Sequence, residues 1–120
     1  MTPYQQFKRE GELEVRAMGE DEALHTLTRD WINQANAHKY SYHFEWLGRP
    51  IIQYPQDVLA MQELIWKVQP ELIIETGIAH GGSLIFSASM LELNAACGGP
   101  ADAGVIGIDI DIRAHNREAV

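Results

Sequence analysis

The sequence predicts an α/β fold in which a parallel sheet is joined by crossover helices. The first observation is a predicted strand at residues 72–75 in which three apolar residues, without polar alternation, lead to Glu75; such a run is typical of a strand buried on both faces. The second is a glycine-containing turn that follows this run and leads into an apolar helix. The third is another apolar run, at residues 105–110, beyond that helix. Strand, helix and strand in this order predict a βαβ unit.

Two regions with weaker patterns precede this unit. Residues 1–20 mix charges with glycines and show no sustained period, which indicates a loosely attached N-terminal arm. Residues 21–54 predict a helix and then an irregular, aromatic-rich loop; the apolar side chains of the helix, at helical spacing, are Leu24, Leu27, Trp31 and Ala35. This helix either packs on the domain as an ordinary amphipathic helix or serves as a lid or an oligomer contact.

Residues 55–120 predict the first βαβ portion itself. A helix begins at Pro55, where the missing N–H costs nothing, and it ends before Pro70, because the residue preceding a proline is pushed out of the helical region. The crossover helix is predicted over residues 82–94, since that segment is apolar on most sides. Residues 113–120 have the composition of a helix that is just beginning.

The predicted sheet is small for an independent domain. Two parallel strands with one crossover helix bury too little apolar surface to be stable alone. We therefore expect the 120 residues to be the truncated N-terminal part of a longer fold, or else to complete a sheet with another chain.

Composition excludes several classes of protein. A hydrophobic content of 46% argues against disorder, and a net charge of −8 argues against a nucleic-acid binder, whose phosphate contacts need clustered Lys and Arg. The single cysteine, Cys97, excludes an intramolecular disulfide. No signal peptide or long apolar span is visible, so the expected location is the cytoplasm, without a membrane partner.

The strongest candidate for a ligand site is the turn at residues 75–83. Its glycines, Gly77, Gly81 and Gly82, allow backbone N–H groups to approach a ligand, because glycine has no Cβ and readily takes positive φ. The second strand leads to Asp109, whose carboxylate can accept hydrogen bonds from two adjacent ribose hydroxyls. Taken alone, these glycines favour a strand-to-helix turn that binds nothing; together with Asp109 they favour a nucleoside site.

Three segments together resemble the cephalosporin hydroxylase family. They are WLGRPIIQYPQD at residues 46–57, IETGIAHGGS at 74–83 and GIDID at 107–111. This family is a branch of the S-adenosylmethionine (SAM)-dependent class I methyltransferases and is related to the rhamnosyl O-methyltransferases. The resemblance implies the N-terminal part of a Rossmann-like class I methyltransferase fold, preceded by helical segments.

The resemblance also implies a cofactor, SAM, and the positions that bind it. The residues that match the cofactor-binding motifs are Glu75, Gly77, His80, Gly81, Gly82, Ser83 and Asp109. Glu75 either organises the turn or meets the amino end of SAM. Asp111 is a less favoured partner of Asp109, and it lies on the same side if the strand continues that far.

The catalytic residues are not identified by sequence. His80 is a weak candidate for a general base, although a histidine in a turn is commonly a hydrogen-bonding loop residue. Arg49, Gln53 and Tyr54 either close the cofactor or substrate pocket, as the resemblance implies, or belong to a loop held by its own aromatic side chains. The histidines show no zinc-site spacing, and we expect no metal ligands in this chain.

The function that the resemblance implies is methylation of a hydroxyl on a sugar or small natural product, with the 120-residue chain inactive by itself. Residues beyond Val120 would hold Mg²⁺ against the acceptor. The alternative is a non-catalytic binding or assembly half-domain that needs a partner chain, and a homo-oligomer remains open. A nicotinamide-dependent enzyme is disfavoured, because Gly77 is followed by Ile78 and Ala79 where the dinucleotide motif needs a second glycine.

Overall fold

The structure, a computed structural model, describes residues 1–117 and divides into two compact units, Met1–His38 and Lys39–Val120. The first unit consists of helices α1 (Pro3–Glu20) and α2 (Glu22–Ala37), which contact each other and bury none of their residues. Within residues 1–117, no helix combines the length and the apolar character needed to cross a membrane.

Helix α1 replaces the irregular arm that we expected at residues 1–20. Thr2 caps this helix: its Oγ1 accepts from the Gln5 N–H at 3.2 Å, and the Gln5 side chain accepts from the Thr2 N–H at 2.9 Å. Such a capping box specifies a helix start without any hydrophobic period. Tyr4, Phe7, Val15 and Met18 lie on one side of α1 at helical spacing, a period that the prediction from sequence missed. Helix α2 begins as predicted, with Asp21 as its cap.

The second unit opens with a short 3₁₀ turn, Tyr40–Tyr42, and an antiparallel hairpin of β1 (Phe44–Trp46) and β2 (Arg49–Ile51). The expectation of an irregular loop was wrong here. Leu47 and Gly48 join the strands with φ values of 47° and 78°, and positive φ at both positions is the mark of a type I′ turn. Leucine at the first position conceals this turn in the sequence, because Asn, Asp or Gly usually stands there.

The predicted βαβ order is confirmed. Helix α3 (Pro55–Val68) leads to β3 (Leu72–Thr76), α4 (Gly82–Ala96) and β4 (Gly104–Ile108). Strands β3 and β4 are parallel, with Ile74 opposite Ile106. Strand β4 ends at Ile108, two residues before the predicted end at residue 110. Helix α5 (Ala114–Arg117) begins near the predicted position, and the remainder of that predicted helix lies outside the described residues.

The core lies between the sheet and the helices that cover one of its faces. Its buried members are Ile51, Ile65, Phe86, Met90 and Leu91, and Ile73 and Val105 pack against them from the two strands. The opposite face of the sheet is open: Leu72, Ile74, Ile106 and Ile108 are 49–60% exposed. The expectation that both faces are buried was therefore wrong, because the described helices pack against one face alone.

Candidate functional site

The glycine turn and Asp109 meet at one edge of the sheet. Because β3 and β4 are parallel, the turn that follows β3 and the residue that follows β4 lie side by side. The Ile78 N–H donates to Asp109 Oδ2 at 2.8 Å, and the Gly77 N–H donates to the Ile108 carbonyl at 2.8 Å. These two hydrogen bonds join the two motifs that the sequence placed far apart.

The Asp109 carboxylate is held by backbone donors. Its Oδ1 accepts from the Asp111 N–H at 3.1 Å. The hydrogen bonds from Asp111 and then Ile78 hold the pKa of Asp109 below its ordinary value of 3.8, so the group is ionised at neutral pH. A carboxylate with one backbone bond to each oxygen keeps lone pairs for further donors. Strand β4 ends at Ile108, so the condition under which Asp111 would lie on the same side as Asp109 is not met. Asp111 instead binds Asp109 through its main chain.

The three glycines of the turn have different structural roles. Gly77 has a φ of +81°, and nothing lies within 4 Å of the point where a Cβ would stand. Gly81, with a φ of 83°, caps α4 in the left-handed region. Gly82 has a packing role, because a Cβ there would stand 2.2 Å from the Pro50 carbonyl oxygen and 2.9 Å from Ile51 Cα. Open space at a positive-φ glycine is what close approach of a ligand requires, and Gly77 provides it.

Glu75 and Ser83 bridge the two ends of the turn. The Ser83 hydroxyl donates to Glu75 Oε1, so the end of β3 is tied to the first turn of α4. This contact fits the interpretation in which Glu75 organises the turn. Both residues also line a cleft of about 350 Å³, together with Gln53 and Asp57 from the segment before and within α3.

Arg49 supports the turn from the hairpin side. Its Nη2 donates to the His80 carbonyl oxygen at 2.7 Å, while its Nε is buried and has no hydrogen-bond partner within residues 1–117. Gln53 is fixed through its main chain, since its N–H donates to the Ser41 carbonyl at 3.1 Å. Tyr54 lies against the Tyr40 ring, with the ring centres 5.9 Å apart, so it belongs to the aromatic cluster of the preceding loop.

A second cleft, of about 300 Å³, opens beside Asp109. Its lining residues come from the turn and from the segment after β4, and they are Ala79, His80, Asp109, Asp111, Arg113, His115 and Asn116. The His80 and His115 rings lie 5.9 Å apart. Sequence reasoning did not select Arg113, His115 or Asn116 for this site. The only signal for them was their position shortly after Asp109, which gains meaning once the chain folds back over the turn.

The described residues do not supply a metal site. Within residues 1–117 there is no group of three or more His, Cys, Asp or Glu side chains placed to bind a metal ion. The Asp109 carboxylate accepts hydrogen bonds from the Ile78 and Asp111 N–H groups.

Comparison with known proteins agrees with this geometry. The family model of rhamnosyl O-methyltransferase/CmcI matches residues 38–120, which include the glycine turn and Asp109. A solved structure described as "cmcI-N160 SAH" is similar to this chain, with 28% sequence identity and a TM-score of 0.50. The match covers 62% of this chain and 39% of that one, so this chain spans well under half of its length. No curated protein matches the chain.

The similarity and the element order confirm the expected fold class, an α/β arrangement of Rossmann-like type. They also confirm the resemblance noted from the three sequence segments. Because the family model covers more than half of the residues, the chain belongs to the rhamnosyl O-methyltransferase/CmcI family.

Proposed function

We propose that this protein takes part in the transfer of a methyl group from SAM to a hydroxyl oxygen of a sugar or small natural product. The observation that carries the proposal is the hydrogen bond from the Ile78 N–H to Asp109 Oδ2, which sets an ionised carboxylate at the mouth of the glycine turn. Membership of the rhamnosyl O-methyltransferase/CmcI family, and similarity to a structure whose description includes SAH, support the same cofactor.

The residues present fit a nucleoside with an amino-acid tail. Asp109 keeps free lone pairs for the two ribose hydroxyls, and the open side of Gly77 leaves room for the chain that joins ribose to sulfur. Glu75, at the end of β3, supplies a second carboxylate, beside the cleft on the other side of the turn. When bound, SAM supplies an electrophilic methyl group on a positively charged sulfur, and two nearby carboxylates favour a cationic ligand.

The described residues offer fewer candidates for acting on the acceptor hydroxyl than for binding the cofactor. His80 lines the cleft beside Asp109, and its side chain remains a candidate for taking the hydroxyl proton. Its main chain has a separate task, because the His80 carbonyl holds Arg49. We assign no step to Mg²⁺, since residues 1–117 offer no ligand set for it.

A binding experiment tests the cofactor assignment. Calorimetric titration of the 120-residue chain with SAM, with its demethylated product S-adenosylhomocysteine (SAH) and with NAD should show binding of the first two alone. Asp109→Asn should weaken SAH binding about tenfold to a hundredfold, the scale of a hydrogen bond to a charged group. Asp102→Asn is the matched control, because Asp102 lies in the loop before β4, at the opposite end of the same strand. Equal affinity of the wild type and Asp109→Asn would remove Asp109 from the site.

A second candidate, a non-catalytic assembly half-domain, has its own supporting observation. The open face of the sheet carries four apolar side chains, Leu72, Ile74, Ile106 and Ile108. Large exposed apolar patches mark interaction sites in many proteins. This candidate predicts a stable oligomer that Ile74→Lys dissociates, no methyl transfer by the chain alone, and weak SAH binding at most. Light scattering of the wild type and the variant, beside the titration above, separates the two candidates.

A further inference from the structure

Asn116 is a buried amide without a complete set of partners. Its residue exposure is 7%, and its Oδ1 has no hydrogen-bond partner within the described residues. Buried polar atoms are nearly always paired, so an unpaired amide oxygen calls for a specific explanation. Asn116 also lines the 300 Å³ cleft that contains Asp109. The unpaired oxygen therefore lies beside the proposed cofactor site.

A second buried asparagine shows what a purely structural amide looks like in this fold. Asn94 is 4% exposed, and its Nδ2 donates to the Ile65 carbonyl at 3.2 Å, which links α4 to α3. The fold therefore supplies a partner for the Asn94 amide nitrogen. In the part of the chain that the structure describes, the Asn116 oxygen has no such partner.

We propose that Asn116 recognises the base of the cofactor, its Oδ1 accepting a hydrogen bond from the 6-amino group of adenine. This inference rests on the proposed function, because Asp109 must first place the ribose in the cleft. The base is bonded directly to the ribose, so it has to lie next to Asp109, and the same cleft extends from Asp109 to Asn116. An asparagine amide matches the amino edge of adenine in both spacing and direction, as in protein–DNA contacts.

The other side chains that line the cleft do not offer the same selectivity. Asp111, Arg113 and His115 are exposed, so water can satisfy their polar atoms whether or not a base is present. Within residues 1–117 the Asn116 oxygen has no partner and is shielded from water, so it gains a partner when the chain moves to admit a ligand. A site built around a shielded acceptor discriminates against a ligand that lacks the donor.

The test compares two ligands that differ at one position. SAH carries the 6-amino group, whereas S-inosylhomocysteine carries an oxygen there and would place two acceptors face to face. We expect the wild-type chain to bind SAH at least about tenfold more tightly than S-inosylhomocysteine, as measured by calorimetry. Asn116→Leu should weaken SAH binding about tenfold and leave S-inosylhomocysteine little changed, so that the preference falls to near one. Asn116→Asp keeps an acceptor and should keep the preference.

Thermal unfolding and a control variant separate recognition from folding. Asn116→Leu removes an unpaired buried oxygen, so its melting temperature should not fall below that of the wild type. Asn94→Leu should lower the melting temperature, because it removes the hydrogen bond that links α4 to the Ile65 carbonyl of α3, and should keep the SAH preference. An Asn116→Leu variant that still prefers SAH would overturn the role of Asn116 and leave the cofactor site standing. A wild type that binds neither ligand would overturn the proposed function as well.

Discussion

Gly82 lies directly against Pro50, so close that a Cβ on the glycine would stand 2.2 Å from the proline carbonyl oxygen. The first residue of α4 thus touches the middle of β2. This close contact packs the hairpin against α4, the helix that follows the glycine turn. Gly82 therefore has a structural role that is separate from any contact with a cofactor.

The Gly82→Ala variant should be destabilised by about 1–3 kcal/mol, the usual cost of forcing extra volume into a packed region. The contact atoms belong to backbone, which cannot turn aside as a side chain could. Urea unfolding followed by circular dichroism measures the loss. Gly104→Ala is the control, since nothing lies within 4 Å of its Cβ position. Equal stability of the two variants would contradict the packing role.

Gly77→Ala should both destabilise the chain and abolish cofactor binding. Its φ of +81° costs an alanine about 1–2 kcal/mol, and the added methyl group would occupy the space left for the ligand. Gly98→Ala provides a matched comparison, because Gly98 has a φ of +89° and open space but lies in the loop after α4. Both variants should lose similar stability in urea, and only Gly77→Ala should lose SAH affinity. Undiminished SAH binding by Gly77→Ala would show that the ligand does not approach this glycine.

The stability that Asp109 contributes should depend on pH in a defined direction. Because hydrogen bonds from Asp111 and Ile78 lower its pKa in the folded state, its contribution is complete above the ordinary value of 3.8 and is lost as the pH falls through the lowered folded value. The difference in melting temperature between the wild type and Asp109→Asn should therefore stay constant from neutral pH down to about 5 and shrink below about 4. A difference that already shrinks between pH 7 and pH 5 would mean that another group controls it.

Trp46 should stabilise the hairpin through one hydrogen bond and one ring contact. Its Nε1 donates to Ser89 Oγ at 3.1 Å, and its ring meets Phe86 edge-on with centres 4.9 Å apart. Trp46→Phe loses the hydrogen bond and should cost about 1 kcal/mol in urea unfolding. The control is Trp66→Phe on α3, where the indole is 51% exposed and the loss should be smaller. A larger loss from Trp66→Phe would contradict this account.

The predictable parts of the fold are those determined by residues close together in the sequence. Apolar runs without alternation gave both strands of the parallel sheet, and Pro55 and Pro70 delimited α3, because proline restricts the backbone at its own position and the one before it. The pairing of a glycine turn with Asp109 at the same sheet edge followed from the parallel order of the strands. These features need no knowledge of distant contacts.

The elements that were missed depend on weaker or unusual signals. Helix α1 starts at a capping box, and Gly11 interrupts its apolar stripe of Tyr4, Phe7, Val15 and Met18. The hairpin turns at Leu47 and Gly48, where the first residue takes a left-handed conformation that leucine rarely adopts. The open sheet face could not be foreseen from the apolar runs, because composition does not say which face a helix will cover.

The residues of the candidate site also fall into two groups, those that the sequence predicted and those whose role it did not reveal. Glu75, Gly77 and Asp109 were foreseen from the motifs, and the structure brings them to one edge of the sheet. The packing role of Gly82 and the unpaired oxygen of Asn116 arise from tertiary contacts between segments that no local pattern connects. Such roles appear only when distances across the fold are known.

The register of the hairpin gives the glycine turn an optical readout. Trp46 stands opposite Arg49 across the two strands, and Arg49 holds the His80 carbonyl within the turn. A ligand that tightens the turn therefore acts on Arg49 in β2, and the neighbouring strand β1 carries the Trp46 indole. The fluorescence of Trp46, measured in a variant in which Trp31 and Trp66 are replaced by phenylalanine, would report ligand binding in real time without an attached dye.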